Sequence, residues 1–126
     1  MADPLFLAAY PYLESVYTLP VGDLDDAAAY FGKSFELDEA ERRDNPPTVI
    51  MERDGVQLGF AITGGDASND GAAIEVTDID RARRELKANG VELGPDRIDE
   101  RGGERFKVFF VVAPGGLCFY FHQRID

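Results

Sequence analysis

At 126 residues the chain has room for one compact domain, and 44% hydrophobic with 11% aromatic residues predicts a folded rather than a disordered polypeptide. A net charge of −11 argues against nucleic acid as a partner through long-range repulsion, and favours a cationic one. No apolar run approaches the roughly 20 residues that span a bilayer, and the single cysteine, Cys118, excludes an internal disulfide and a multi-thiolate zinc site.

The opening stretch MADPLFLAAYPYLE has no basic start, and Asp3 and Pro4 interrupt it. It is not read as a secretory signal, so a cytoplasmic protein is expected. Pro4 to Leu13, rich in Leu, Phe and Tyr, is expected to pack on a partner chain or to cover a sheet edge. Val16 to Val21 is β-branched and apolar, and predicts a strand. Asp23 then suits a helix N-cap, and Asp25 and Asp26 suit the positive end of the helix dipole. Leu24, Ala27, Ala28 and Phe31 fall on one helical face. Phe35 to Ala40 predicts a second strand. Asp44-Asn45-Pro46-Pro47 predicts a loop, because tandem prolines stop pairing. Thr48 to Arg53 and Val56 to Thr63 then form a hairpin about Asp54-Gly55.

The stretch GGDASNDG, Gly64 to Gly71, holds turn formers and no large apolar anchor, and predicts a linker. The pattern then restarts. Ala72 to Val76 predicts a strand and Asp78 a helix cap, with Ile79, Ala82 and Leu86 on one helical face and Gly90 at the C-terminal end. A strand is expected to begin at Val91 to Leu93. Turns at Arg101-Gly102-Gly103 and Pro114-Gly115-Gly116 separate strands over Phe106 to Val112 and Leu117 to Gln123. Leu117 and Phe119 predict a buried thiol at Cys118. VGDLDD, Val21 to Asp26, is echoed by VTDIDR, Val76 to Arg81, and both halves read β-α-β-β-β. The chain is therefore an internal duplication. Module one spans about residues 15–63, a linker about 64–70, and module two about 71–123.

LPVGDLDDAAAYFGKSFEL, DGVQLGF, AIEVTDIDRARRELKANGVEL and VVAPGGLCFYF, in this order and spacing, resemble the vicinal oxygen chelate superfamily of glyoxalases, extradiol dioxygenases and bleomycin-resistance proteins. The resemblance covers nearly the whole chain from about Ser15 to His122. It implies an α+β fold of two tandem βαβββ modules forming curled mixed sheets around a cleft, and often a homodimer. It also implies where a divalent metal sits in enzymatic members: on the first and last strands of each module. Carried over by position, those places are Val16, Gly59, Gly71 and Tyr120. Val and Gly have no side-chain donor atoms and neutral Tyr is a poor ligand, so no metal cofactor is expected. His122 with Glu75 would hold a metal only with further ligands. APGG, Ala113 to Gly116, replaces the DPDG turn common before the last strand of members.

Without a metal, a concave pocket with apolar walls and a few polar groups remains. Strand alternation brings to it Val16 and Thr18, Gln57 and Gly59 (with Ala61), Ala73 and Glu75, and Cys118, Tyr120 and His122. Phe109 joins them as a residue of either face. The glycines at former ligand positions are expected to leave extra room. No nucleophile–base pair stands out, since Ser15, Ser34 and Ser68 lie on different elements and the only histidine is His122. The glycines form no phosphate-cradling loop. The function expected is a metal-free protein, similar to bleomycin-resistance proteins, that sequesters a cationic or aromatic small molecule and forms a homodimer. The alternatives are a metal-dependent glyoxalase- or dioxygenase-type enzyme with non-standard ligands, and a structural or regulatory partner whose cleft is vestigial.

Overall fold

The computed structural model describes residues 3–125. Met1 and Ala2, the start of the stretch read for a targeting signal, lie outside the described residues. The chain opens with strand β1 (Phe6–Pro11). One βαβββ unit follows: β2 (Leu19–Pro20), α1 (Leu24–Ser34), β3 (Asp38–Arg43), β4 (Thr48–Arg53) and β5 (Val56–Ala61). A single 3-10 turn, Ala67–Asn69, lies in the linker. The second unit is β6 (Gly71–Val76), α2 (Ile79–Ala88), β7 (Arg97–Arg101), β8 (Glu104–Val112) and β9 (Cys118–Arg124).

The two echoed stretches do the same local work. Asp23 and Asp78 are extended N-caps whose carboxylates accept from the backbone N–H of Asp26 and Arg81, at 2.9 and 3.0 Å. Each opening strand pairs in parallel with the last strand of its own unit. This gives one sheet of order β2-β5-β4-β3 and one of order β1-β6-β9-β8-β7. The fold is α+β, as expected. Asp54 and Gly55 both have positive φ, 54° and 81°, the primed turn that suits the twist of a two-residue hairpin. Asp54 Oδ2 also accepts from the backbone N–H of Leu5 and Phe6, at 2.8 and 3.0 Å, and so ties β1 to module one.

One apolar core serves both sheets. Val49, Met51, Leu58 and Phe60 of the four-stranded sheet and Ile74, Val111, Phe119 and Phe121 of the five-stranded sheet belong to a single buried cluster. Phe31 of α1 is the bridge. Its ring stacks on Phe60 at 4.2 Å and meets Phe119 edge-on at 5.5 Å. Both sheets thus turn one face toward the same core, and their alternate residues point outward on opposite sides of the molecule.

Several sequence expectations shift. The first strand of module one pairs only over Leu19–Pro20, because the Ser15 hydroxyl accepts from Tyr17 N–H and the chain turns at Val16–Tyr17. The strand expected from Phe35 starts at Asp38, because Phe35 and Leu37 are drawn into the core as both their N–H groups close on Phe31 C=O. Val91 is likewise a core residue that closes α2, and β7 begins at Arg97. The N-terminal segment covers a sheet edge, pairing antiparallel with β6.

Candidate functional site

Of the predicted site residues, five come together on the outer face of the five-stranded sheet. In the parallel β6–β9 register Ala73 stands beside Tyr120 and Glu75 beside His122, with Cys118 one pleat further along. Cys118 is half-buried rather than buried, a correction to the expected buried thiol, because its parity puts it on this outer face and not with Phe119 in the core. Phe109 is corrected too: it is fully buried and stacks on Phe121 at 5.2 Å within the core.

His122 is 8% exposed, and its Nδ1 is buried with no hydrogen-bond partner. Burial pushes the imidazole below its ordinary value, and nearby Arg101 adds to this while Glu75 opposes it. Around it stand the rings of Tyr10 at 6.2 Å, Tyr120 at 5.5 Å and Phe106 at 6.0 Å. The Tyr10 hydroxyl donates to Glu75 Oε1 at 3.1 Å, a bond that raises the phenol's pKa. The Tyr120 hydroxyl donates to Asp99 Oδ2 at 2.6 Å. Burial and then this bond push Tyr120 up to about 12, so it stays protonated and serves as a donor. Arg97 donates to both Asp99 oxygens, Oδ1 at 2.8 Å and Oδ2 at 3.2 Å, and keeps the carboxyl below the usual carboxylate range. The guanidinium groups of Arg97 and Arg101 lie over the rings of Phe110 and of Phe106 and Tyr120, at 5.1 to 5.7 Å. Sequence reasoning missed Tyr10, Asp99, Arg97 and Arg101. Phe106 and Phe110 share the strand parity of Val112, the signal by which they were findable.

Four further predicted residues belong to module one. Gln57 and Gly59 face outward from β5, away from His122, and Gln57 accepts weakly from the Tyr17 hydroxyl at 3.4 Å. Val16 packs against the core edge and its C=O accepts from Gly59 N–H at 2.7 Å, while Thr18 is exposed. The two glycines leave no extra room. A Cβ on Gly59 would stand 2.3 Å from Tyr17 O, and one on Gly71 would stand 1.8 Å from Cys118 O. Backbone fills both places.

The same facts decide whether a metal of the kind the resemblance implies fits here. Of the four carried-over positions three have no donor atom, two of those have backbone where a side chain would go, and the Tyr120 hydroxyl is committed to Asp99. Among the described residues no group of three or more His, Cys, Asp or Glu is placed to hold a metal ion. The residues present do not fit the group.

A separate hollow of about 750 Å³ lies where the β2–α1 connection, the linker and the β8–β9 turn meet. None of the predicted site residues lines it. A smaller one of about 540 Å³ adjoins it and shares Pro20, Gly65 and Asp66.

No protein-family model and no curated protein matches the sequence. Solved structures do match in fold. A glyoxalase/bleomycin resistance protein/dioxygenase from Alicyclobacillus acidocaldarius is 20% identical, with 90% of this chain and 93% of that one covered at a TM-score of 0.68. A glyoxalase family protein from Enterococcus faecalis is 18% identical over 88% and 98% of the two chains, with a TM-score of 0.62. The fosfomycin resistance protein FosX from Listeria monocytogenes is 22% identical over 87% and 91%, with a TM-score of 0.59. The chain has the glyoxalase/bleomycin-resistance fold that the resemblance implied.

Proposed function

We propose that this protein, built on the glyoxalase/bleomycin-resistance fold, binds and sequesters a planar aromatic small molecule without a metal. The binding place is the outer face of the five-stranded sheet around His122, and a second copy of the chain covers it. The observation that carries the reading is the chemistry at Val16, Gly59, Gly71 and Tyr120: no donor set, and backbone where two of the side chains would be. What supports the location is His122. A buried ring nitrogen without a partner costs about 1–3 kcal/mol, which a ligand polar group reaching it past the half-exposed Tyr10 would offset. The rings of Phe106, Phe110 and Tyr120, over which Arg97 and Arg101 now lie, supply flat apolar surface for stacking once those guanidinium groups swing aside.

The reading makes a two-part test. Protein purified without chelators or a histidine tag, offered Mn, Fe, Ni, Co and Zn and then dialysed, should retain no near-stoichiometric metal. A thermal-shift screen of aromatic compounds should then yield stabilising ligands whose effect is lost in His122→Phe. Retained metal, or ligands indifferent to His122→Phe, would overturn it.

One observation favours a second reading, a structural partner with a vestigial cleft. Arg97 and Arg101 already lie on the rings of this face, and Val108, opposite Arg97 in the β7–β8 register, is fully buried. On that reading no aromatic compound stabilises the protein at all.

A further inference from the structure

The larger hollow is open to a different chemistry from the sheet face. Its floor is Ala27 and Phe31, both almost fully buried, and the half-buried ring of Tyr30. Ile62, 41% exposed, leaves apolar surface bare on one wall. At about 750 Å³ it has the size of a pocket for one small molecule.

The charge around it has a single sign. Asp23, Asp26 and Asp66 line it, and among the described residues no Lys, Arg or His does. The adjoining hollow adds Glu14 and Asp70, again with no basic residue among those described. Asp23 and Asp66 are partly occupied, the first capping α1 and the second accepting from Ser68 and Asn69. Asp25, which precedes Asp26, does not line the hollow and pairs with Arg42 at 2.9 Å. Asp26 differs from all three: its carboxylate receives no hydrogen bond or ion pair from the described residues. Asp23 and Asp26 sit at the positive N-terminal end of α1, but three full carboxylate charges outweigh that partial charge, and the chain's net charge of −11 draws cations from a distance.

We infer that this hollow is a binding site for an amphipathic organic cation, an apolar or aromatic body carrying one ammonium-type charge. The body covers Tyr30, Phe31 and Ile62, and the charge rests against Asp26 with Asp23 and Asp66 behind it. The site is independent of the sheet face around His122 and does not rest on the function proposed for it.

The test is an NMR titration of the full chain with benzyltrimethylammonium, repeated with neutral benzyl alcohol and anionic phenylacetate. Amide shifts should cluster at Val21 to Ala27, Gly64 to Ala67 and Gly115, for the cation alone. Asp26→Asn, which leaves the Asp23 cap intact, should weaken binding about threefold to tenfold, and raising salt should weaken it further. Ile62→Ala should weaken it too, and His122→Phe should not. Shifts centred on His122, equal binding of the neutral compound, unchanged affinity in Asp26→Asn, or no binding would each overturn the site. The amide spectrum of each variant, compared with the parent, shows that the fold is kept.

Discussion

His122 is the residue on which the outer face depends, and its chemistry has a sign that a titration can read. Burial and Arg101 disfavour the imidazolium, Glu75 favours it, and the balance lies below the ordinary value. In the unfolded chain the ring returns to about 6.5. The neutral ring's contribution to stability is therefore fully present above that pH and is lost as pH falls through the lower folded value. Because there is one histidine in the chain, its ring resonance is assigned without ambiguity. The NMR midpoint should fall below about 6.5 in the folded protein. Unfolding in urea should show stability dropping as pH falls below about 6.5 more steeply than in His122→Phe. A midpoint at or above that of a free histidine would mean that Glu75, not burial, governs the ring.

At the scale of elements, two glycines show what alternation in a sequence can and cannot tell. Gly59 and Gly71 occupy strand positions where the resemblance puts ligand side chains, and from sequence a missing side chain looks like open space. In three dimensions the backbone of Tyr17 crosses one and Cys118 C=O lies against the other. Restoring a side chain is thus an overpacking problem. Gly71→Ala should cost about 3 kcal/mol or more, the upper end for overpacking. Gly64→Ala, at φ +77° with nothing within 4 Å, should cost only the roughly 1–2 kcal/mol of a left-handed residue. Urea midpoints of the two variants check the contrast, and equal losses would mean that the β6–β9 contact relaxes easily. Much else at this scale was legible. The Asp caps, both helices, the Asp54-Gly55 turn and the βαβββ order all rest on local chemistry that short stretches carry. What was not legible depended on long-range contact. DEAERR of β3 has no apolar alternation, since it is an exposed edge laced by Arg42–Glu39 and Arg43–Glu41 pairs. The face chosen by Phe109 is set by Phe121, and the edge taken by β1 by β6 and Asp54.

On the whole molecule, the site residues fall apart into two groups because both sheets spend their inward faces on one core. Alternation correctly says that Gln57 and Gly59 share a face, and that Tyr120 and His122 share one. It is silent on whether those faces meet, and within one chain the core bridged by Phe31 keeps them on opposite sides. The outer face of the five-stranded sheet also leaves Tyr10, Tyr12 and Val112 at 49, 39 and 66% exposed, a strip of apolar surface next to the proposed ligand place. That strip is where the proposal seats the second copy. A dimer so formed brings two chains of charge −11 together, so repulsion opposes it and salt relieves the repulsion. Sedimentation at fixed protein concentration should therefore show association tightening as salt rises from about 0.05 to 0.5 M, across which the screening length falls severalfold. Val112→Lys puts a charge at the most exposed point of the strip, outside the core, and should yield a folded monomer. Retained dimer in that variant would move the interface elsewhere, and a parent chain that stays monomeric at every salt concentration would leave the ligand place open to water.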